Sequence, residues 1–122
     1  MSSYYTTTTE SYKQPEPAEH NTVDLINKVC EVMGIAQKHM RTKSRESKIK
    51  YTRWLIWYFL REQQFTFKEA GQCFKGIVFD HSTVCNAMDK LPHDIERMPD
   101  LRRKFNKLKK WHNSIAYVDD TA

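Results

Sequence analysis

Asp80, His81, Ser82 and Thr83 stand together immediately before Val84, Ala87, Met88 and Leu91, apolar residues that recur at helical spacing. Side chains on the first turn of a helix can meet the edges of nucleic-acid bases. A carboxylate can accept from cytosine N4, and an imidazole can donate to guanine or accept from adenine N6. A threonine can touch a thymine methyl while its hydroxyl meets a phosphate. The plainer role for Asp80 is to cap the helix while its neighbours face water. A metal or hydrolytic site is the other chemistry to weigh, because His81 and Cys85 lie four apart and Cys73 precedes them. That leaves too few ligands, and no strand-turn-helix context orients a base toward a nucleophile. Cys30, Cys73 and Cys85 lack any C-x-x-C spacing and read as reduced, buried thiols. No metal, no cofactor and no enzymatic activity are expected.

The elements that must position such a tip begin with charge. The net charge is +5, yet the first 21 residues hold Glu10, Glu16 and Glu19 against Lys13, and the end holds Asp119 and Asp120. The intervening body is therefore more basic than the total, which suggests a polyanionic partner, nucleic acid before membrane. With 122 residues the chain accommodates one core, and 39% hydrophobic residues with three glycines and four prolines favour helices over a β-rich fold. Trp54–Leu60 is the longest apolar run, far short of a membrane span, and no basic start followed by an apolar stretch is present. A cytoplasmic, nucleoid-associated protein is expected.

Residues 1–21, rich in Ser, Thr, Tyr and Glu, predict a disordered tail; residues 22–116 predict a helical DNA-binding domain, and 117–122 a short acidic tail. Thr22 is the expected cap of a first helix carrying Val23, Ile26, Val29, Cys30 and Met33, with Gly34 to end it. A basic loop around Thr42–Ser44 leads into a second helix, capped by Ser44 or Ser47 and ending near Gln64. Its nearly continuous apolar surface suits a central helix, or a face for a protein partner on Trp54–Leu60. Thr66-Phe67-Lys68-Glu69 has the form of a capping box opening a third helix to about Phe74. A turn at Gly76 and an Asp80 cap introduce the fourth helix, giving the order of a helix-turn-helix. Beyond Leu91, Pro92 and Pro99 are expected to interrupt the helical pattern. Asp100 is the expected cap of a last helix with Leu101, Phe105, Leu108 and Trp111 inward and six cations outward.

Gly71 and Phe74, followed by Asp80-His81-Ser82-Thr83-Val84, resemble the signature of the C-terminal DNA-binding domain (domain IV) of the bacterial replication initiator DnaA family. Thr42-Lys43-Ser44-Arg45 is similar to that family's basic loop, and Arg53, Tyr58, Leu60 and Arg61 match its following helix. The resemblance implies an all-α helix-turn-helix fold of five to six helices, like the DnaA C-terminal domain or the Trp repressor. It implies that Arg45 enters the minor groove, that Asp80, His81, Ser82 and Thr83 read the major groove, and that Lys43, Lys48, Arg53, Arg61 and Lys68 hold phosphates. Five residues, Lys75 to Phe79, stand where the family usually has three, and Phe79 replaces a common arginine, so Phe79 is free to plug the core instead. No G-x-x-x-x-G-K-[ST] loop can be built from Gly34, Gly71 and Gly76, so no nucleotide cofactor is expected. Sequence-selective binding of double-stranded DNA in replication initiation or its control is the expected function. The alternatives are a transcriptional repressor of a phage or mobile element, or a protein-interaction module that targets the replication machinery.

Overall fold

In the computed structural model, which describes residues 15–121 and the side chains of residues 22–114, the chain is all helical. The helices are α1 (Pro15–Met33), α2 (Ser47–Glu62), α3 (Phe67–Gly71), α4 (His81–Arg97) and α5 (Pro99–Thr121), with a 3-10 turn at Gln37–Arg41 between α1 and α2. No strand occurs among the described residues.

Helix α2 is the centre because its sequence is apolar on nearly every side. Leu55, Ile56, Trp57, Phe59 and Leu60 are fully enclosed. α1, α3 and α4 pack around it, and Phe105 of α5 stacks on Phe59 and meets Tyr58 edge to face. The apolar run Trp54–Leu60 is thus largely covered by the chain's own helices, with Trp54 and Tyr58 left partly exposed.

Local signals account for most boundaries. Gly34 (φ 71°) ends α1 in a left-handed cap, with the Ile35 N–H donating to Cys30 O at 3.0 Å and the Gly34 N–H to Glu31 O at 3.2 Å. The capping box forms at α3: Thr66 Oγ1 accepts from the Glu69 N–H (3.0 Å), and Glu69 Oε1 accepts from the Thr66 N–H (2.8 Å). Other boundaries differ from expectation. α1 begins at Pro15 rather than Thr22, and a proline in the first turn with acids beside it is itself a helix-start signal. The remainder of the expected tail, residues 1–14, lies outside the described residues. α5 likewise continues to Thr121, through most of the expected acidic tail.

α2 is preceded by Glu46 rather than capped by Ser44 or Ser47. It ends at Glu62, where Gln64 (φ 77°) takes the left-handed position usually given to glycine. α3 stops at Gly71, well before Phe74. Pro92 does not end α4: the helix runs on to Arg97, its far half held by buried Leu91, by Ile95 and by a hydrogen bond from Tyr51 Oη to Asp94 Oδ2 (2.7 Å). Tertiary anchoring here outweighs the bond that Pro92 removes. Asp100 lies in the first turn of α5 and pairs with Lys104 (3.1 Å) and Arg103 instead of capping.

The Tyr51–Asp94 bond gives stability a pH dependence of definite sign. Burial, reinforced by the neighbouring Asp94 carboxylate, pushes the Tyr51 phenol up to about 12 from its usual 10.0. The folded protein keeps that proton where the unfolded chain releases it, so the contribution is full below pH 10.0 and is lost as pH rises toward about 12. The same hydrogen bond, with help from Arg97, holds Asp94 below the usual carboxylate range, so its contribution is lost as pH falls through that range. Tyr51→Phe should destabilise by about 1.5–3 kcal/mol at neutral pH and flatten both arms. Urea unfolding between pH 3 and 11.5 checks this; a variant with undiminished slopes above pH 10 would contradict it.

Candidate nucleic-acid interface

The N-terminal turn of α4 projects from the fold. Asp80, His81, Ser82 and Thr83 are all exposed, whereas Val84 is completely buried and anchors the helix from below. Asp80 occupies the N-cap position (φ −60°, ψ 149°), yet its carboxylate accepts no cap hydrogen bond. The expected capping role is therefore not taken up, and the carboxylate remains available to a ligand.

What holds this tip is a backbone crossing between α3 and Phe79, two residues before α4 begins. The Phe79 N–H donates to Gly71 O at 2.9 Å. A Cβ at position 71 would overlap the Phe79 carbonyl oxygen and lie 3.2 Å from its carbonyl carbon and 3.4 Å from Val84 Cγ2. Only glycine permits this approach. The Phe79 side chain turns inward, its ring 5.3 Å from that of Trp57 and 6.1 Å from that of Phe74, so it plugs the core beneath the turn.

The basic loop meets the same plug. The Arg53 guanidinium lies 5.0 Å from the Phe79 ring centroid, and Lys43 Nζ lies 5.8 Å from it. Arg53 is 5% exposed; Nη1 donates to Ser44 O at 3.0 Å, and Nη2 donates to Thr42 O. Burial works against its charge. The phosphate contact expected of Arg53 has no exposed guanidinium to make it, because the group is committed to loop carbonyls. The loop is tightened further by Thr42 Oγ1 donating to His39 O (3.0 Å), by the Ser44 N–H donating to Thr42 Oγ1 (3.3 Å), and by the Glu46 N–H donating to Ser44 Oγ (3.2 Å). These bonds leave Lys43 and Arg45 exposed on a pinned backbone.

The remaining expected cations are distributed unevenly. Lys68 shares a cleft of about 330 Å³ with Gln72, Val78, Phe79, Asp80 and His81, at the tip itself. Arg61 is exposed but ordered, stacking 4.2 Å from the Phe67 ring centroid and donating to Phe65 O at 2.6 Å. Lys48 lies toward Gly34 and the Asp100 carboxylate, with no contact joining it to the tip among the described residues. Gln72 and Val78 were not anticipated. No local pattern singles out Val78, since Ile77, Val78 and Phe79 form one continuous apolar run.

Burial pushes the Cys30 thiol up to about 11 and the Cys73 thiol up to about 12, which keeps both protonated and unreactive. No group of three metal-ligating side chains occurs among the described residues, and no helix there is long and apolar enough to cross a membrane.

The family model described as the bacterial DnaA protein helix-turn-helix matches residues 23–91. The chromosomal replication initiator protein DnaA of Gloeobacter violaceus is 31% identical over 85 residues, covering 69% of this chain. The chain spans only 19% of the length of that relative. No solved structure matches the chain.

Proposed function

The chain belongs to the bacterial DnaA helix-turn-helix family, and on that premise we propose that it binds double-stranded DNA selectively and serves in replication initiation or its control. The tip of α4 enters the major groove, where Asp80, His81, Ser82 and Thr83 face base edges. Arg45 reaches the adjacent minor groove, while Lys43, Lys68 and Arg61 lie against phosphates. Arg53 acts one step back, by shaping the loop that presents Lys43 and Arg45. The observation that carries this reading is Phe79, whose ring meets Lys43 and Arg53 while its backbone, bonded to Gly71 O, leads directly into the α4 tip. Two grooves can then be engaged at once by a rigid unit.

Selection of bound sequences from a random duplex pool tests the proposal, and an enriched motif is the expected result. Binding that is indifferent to sequence would remove the selective reading. Against the selected site, His81→Ala should cost about 1–3 kcal/mol with little loss on random DNA. The comparison is made by fluorescence anisotropy at fixed salt; equal losses on both DNAs would deny His81 a base-reading role. Lys68→Gln should weaken both duplexes alike and reduce the slope of log affinity against log salt by about one.

A further inference from the structure

Val78 is 60% exposed, one of two large hydrophobic side chains left so open among the described residues. It stands two positions before the base-facing Asp80, in the part of the turn that is longer than is usual in the family. Its outward direction is imposed by its neighbours. Ile77 and Phe79 pack against the core, and Phe79 is fixed both by its N–H bond to Gly71 O (2.9 Å) and by its ring against Trp57. Exposure alternates along this run, Ile77 and Phe79 being partly buried and Val78 and Asp80 exposed, so the Val78 side chain lies on the outer side with Asp80. Val78 lines the same cleft as Lys68, Gln72, Asp80 and His81.

We propose that Val78 is a specificity-determining residue that packs against the C5 methyl of a thymine in the major groove. The proposal rests on the reading that the α4 tip enters that groove. A lone valine ringed by Lys68, Gln72, Asp80 and His81 is too small an apolar patch to seat a protein, whereas a cation beside groups that can donate to and accept from base edges suits the major groove. Within the major groove, the thymine methyl is the apolar group that a base pair presents, so a valine held there discriminates without a hydrogen bond.

The test uses the full chain and the best duplex from the random-pool selection, with each thymine replaced in turn by deoxyuridine, which lacks only the methyl. One replacement should weaken the wild-type protein about fourfold, the effect of losing one buried methyl, and should leave Val78→Ala almost unaffected. Val78 is exposed, so the variant should retain the wild-type thermal midpoint, which is measured alongside. If Val78→Ala discriminates thymine from deoxyuridine at every position as the wild type does, or weakens on both equally, the proposal is overturned. His81→Ala separates the two levels of failure. Lost selectivity in that variant with no effect at Val78 refutes only the methyl contact, whereas no effect from either refutes groove entry as well.

Discussion

Gly71→Ala should cost about 3 kcal/mol of folding stability and abolish most selective DNA binding, the largest effect expected of any single methyl added to this protein. Position 71 is fully enclosed, and the added Cβ would meet the Phe79 carbonyl group rather than the end of a flexible side chain. Relief therefore requires α3 and the start of α4 to move apart, which also breaks the hydrogen bond from the Phe79 N–H to Gly71 O. The tip would shift relative to the basic loop, and several base contacts worth about 1–3 kcal/mol each would be lost together. Gly76→Ala is the matched control. Its left-handed backbone (φ 82°) strains any side chain, yet nothing lies within 4 Å of the added Cβ. It should cost about 1–2 kcal/mol of stability and leave affinity for the selected site nearly intact. Chemical denaturation and anisotropy on both variants decide the matter. Equal losses of affinity would mean that the α3–α4 crossing does not position the tip.

Arg53→Ala is expected to be nearly as damaging, by a different route. Charge-assisted hydrogen bonds contribute about 1.5–3 kcal/mol each, and Arg53 makes such bonds to the carbonyls of Thr42 and Ser44 while covering Phe79. A stability loss of about 2–4 kcal/mol should accompany a loop that no longer holds Lys43 and Arg45 in place. Arg53→Lys is the discriminating variant. A lysine keeps the charge but cannot fork between two carbonyls, so under a clamping role it should behave like Arg53→Ala. Under a direct phosphate role it should retain most of the affinity. Near-wild-type binding and stability in Arg53→Lys would restore the phosphate assignment suggested by sequence.

These two residues mark where the sequence was legible and where it was not. Both were visible by type: Gly71 as part of the helix-turn-helix signature, Arg53 as one more cation in a basic stretch. The close approach at Gly71 depends on a residue eight positions away, and nothing local in a glycine distinguishes a crossing from a turn. Arg53 shares its neighbourhood with Lys50 and Lys48, but it falls on the face of α2 that closes over the loop, so its charge is spent internally. Lys48 and Lys68 were indistinguishable as exposed lysines, yet one lies toward Asp100 and the other beside His81. The Pro92 boundary failed for a related reason, since an anchor such as Tyr51–Asp94 joins residues 43 apart.

Helical character, the α3 capping box, the glycine that ends α1 and the polar opening of α4 were written into the chain, because each depends on backbone hydrogen bonding and apolar spacing within about one or two helical turns. Only the packed molecule decided which cations face solvent, why residue 71 must lack a side chain, and that Phe79 joins the basic loop to the α4 tip. Those outcomes are set by how helices close on α2, where enclosure, steric overlap and desolvation act between segments whose proximity no local pattern encodes.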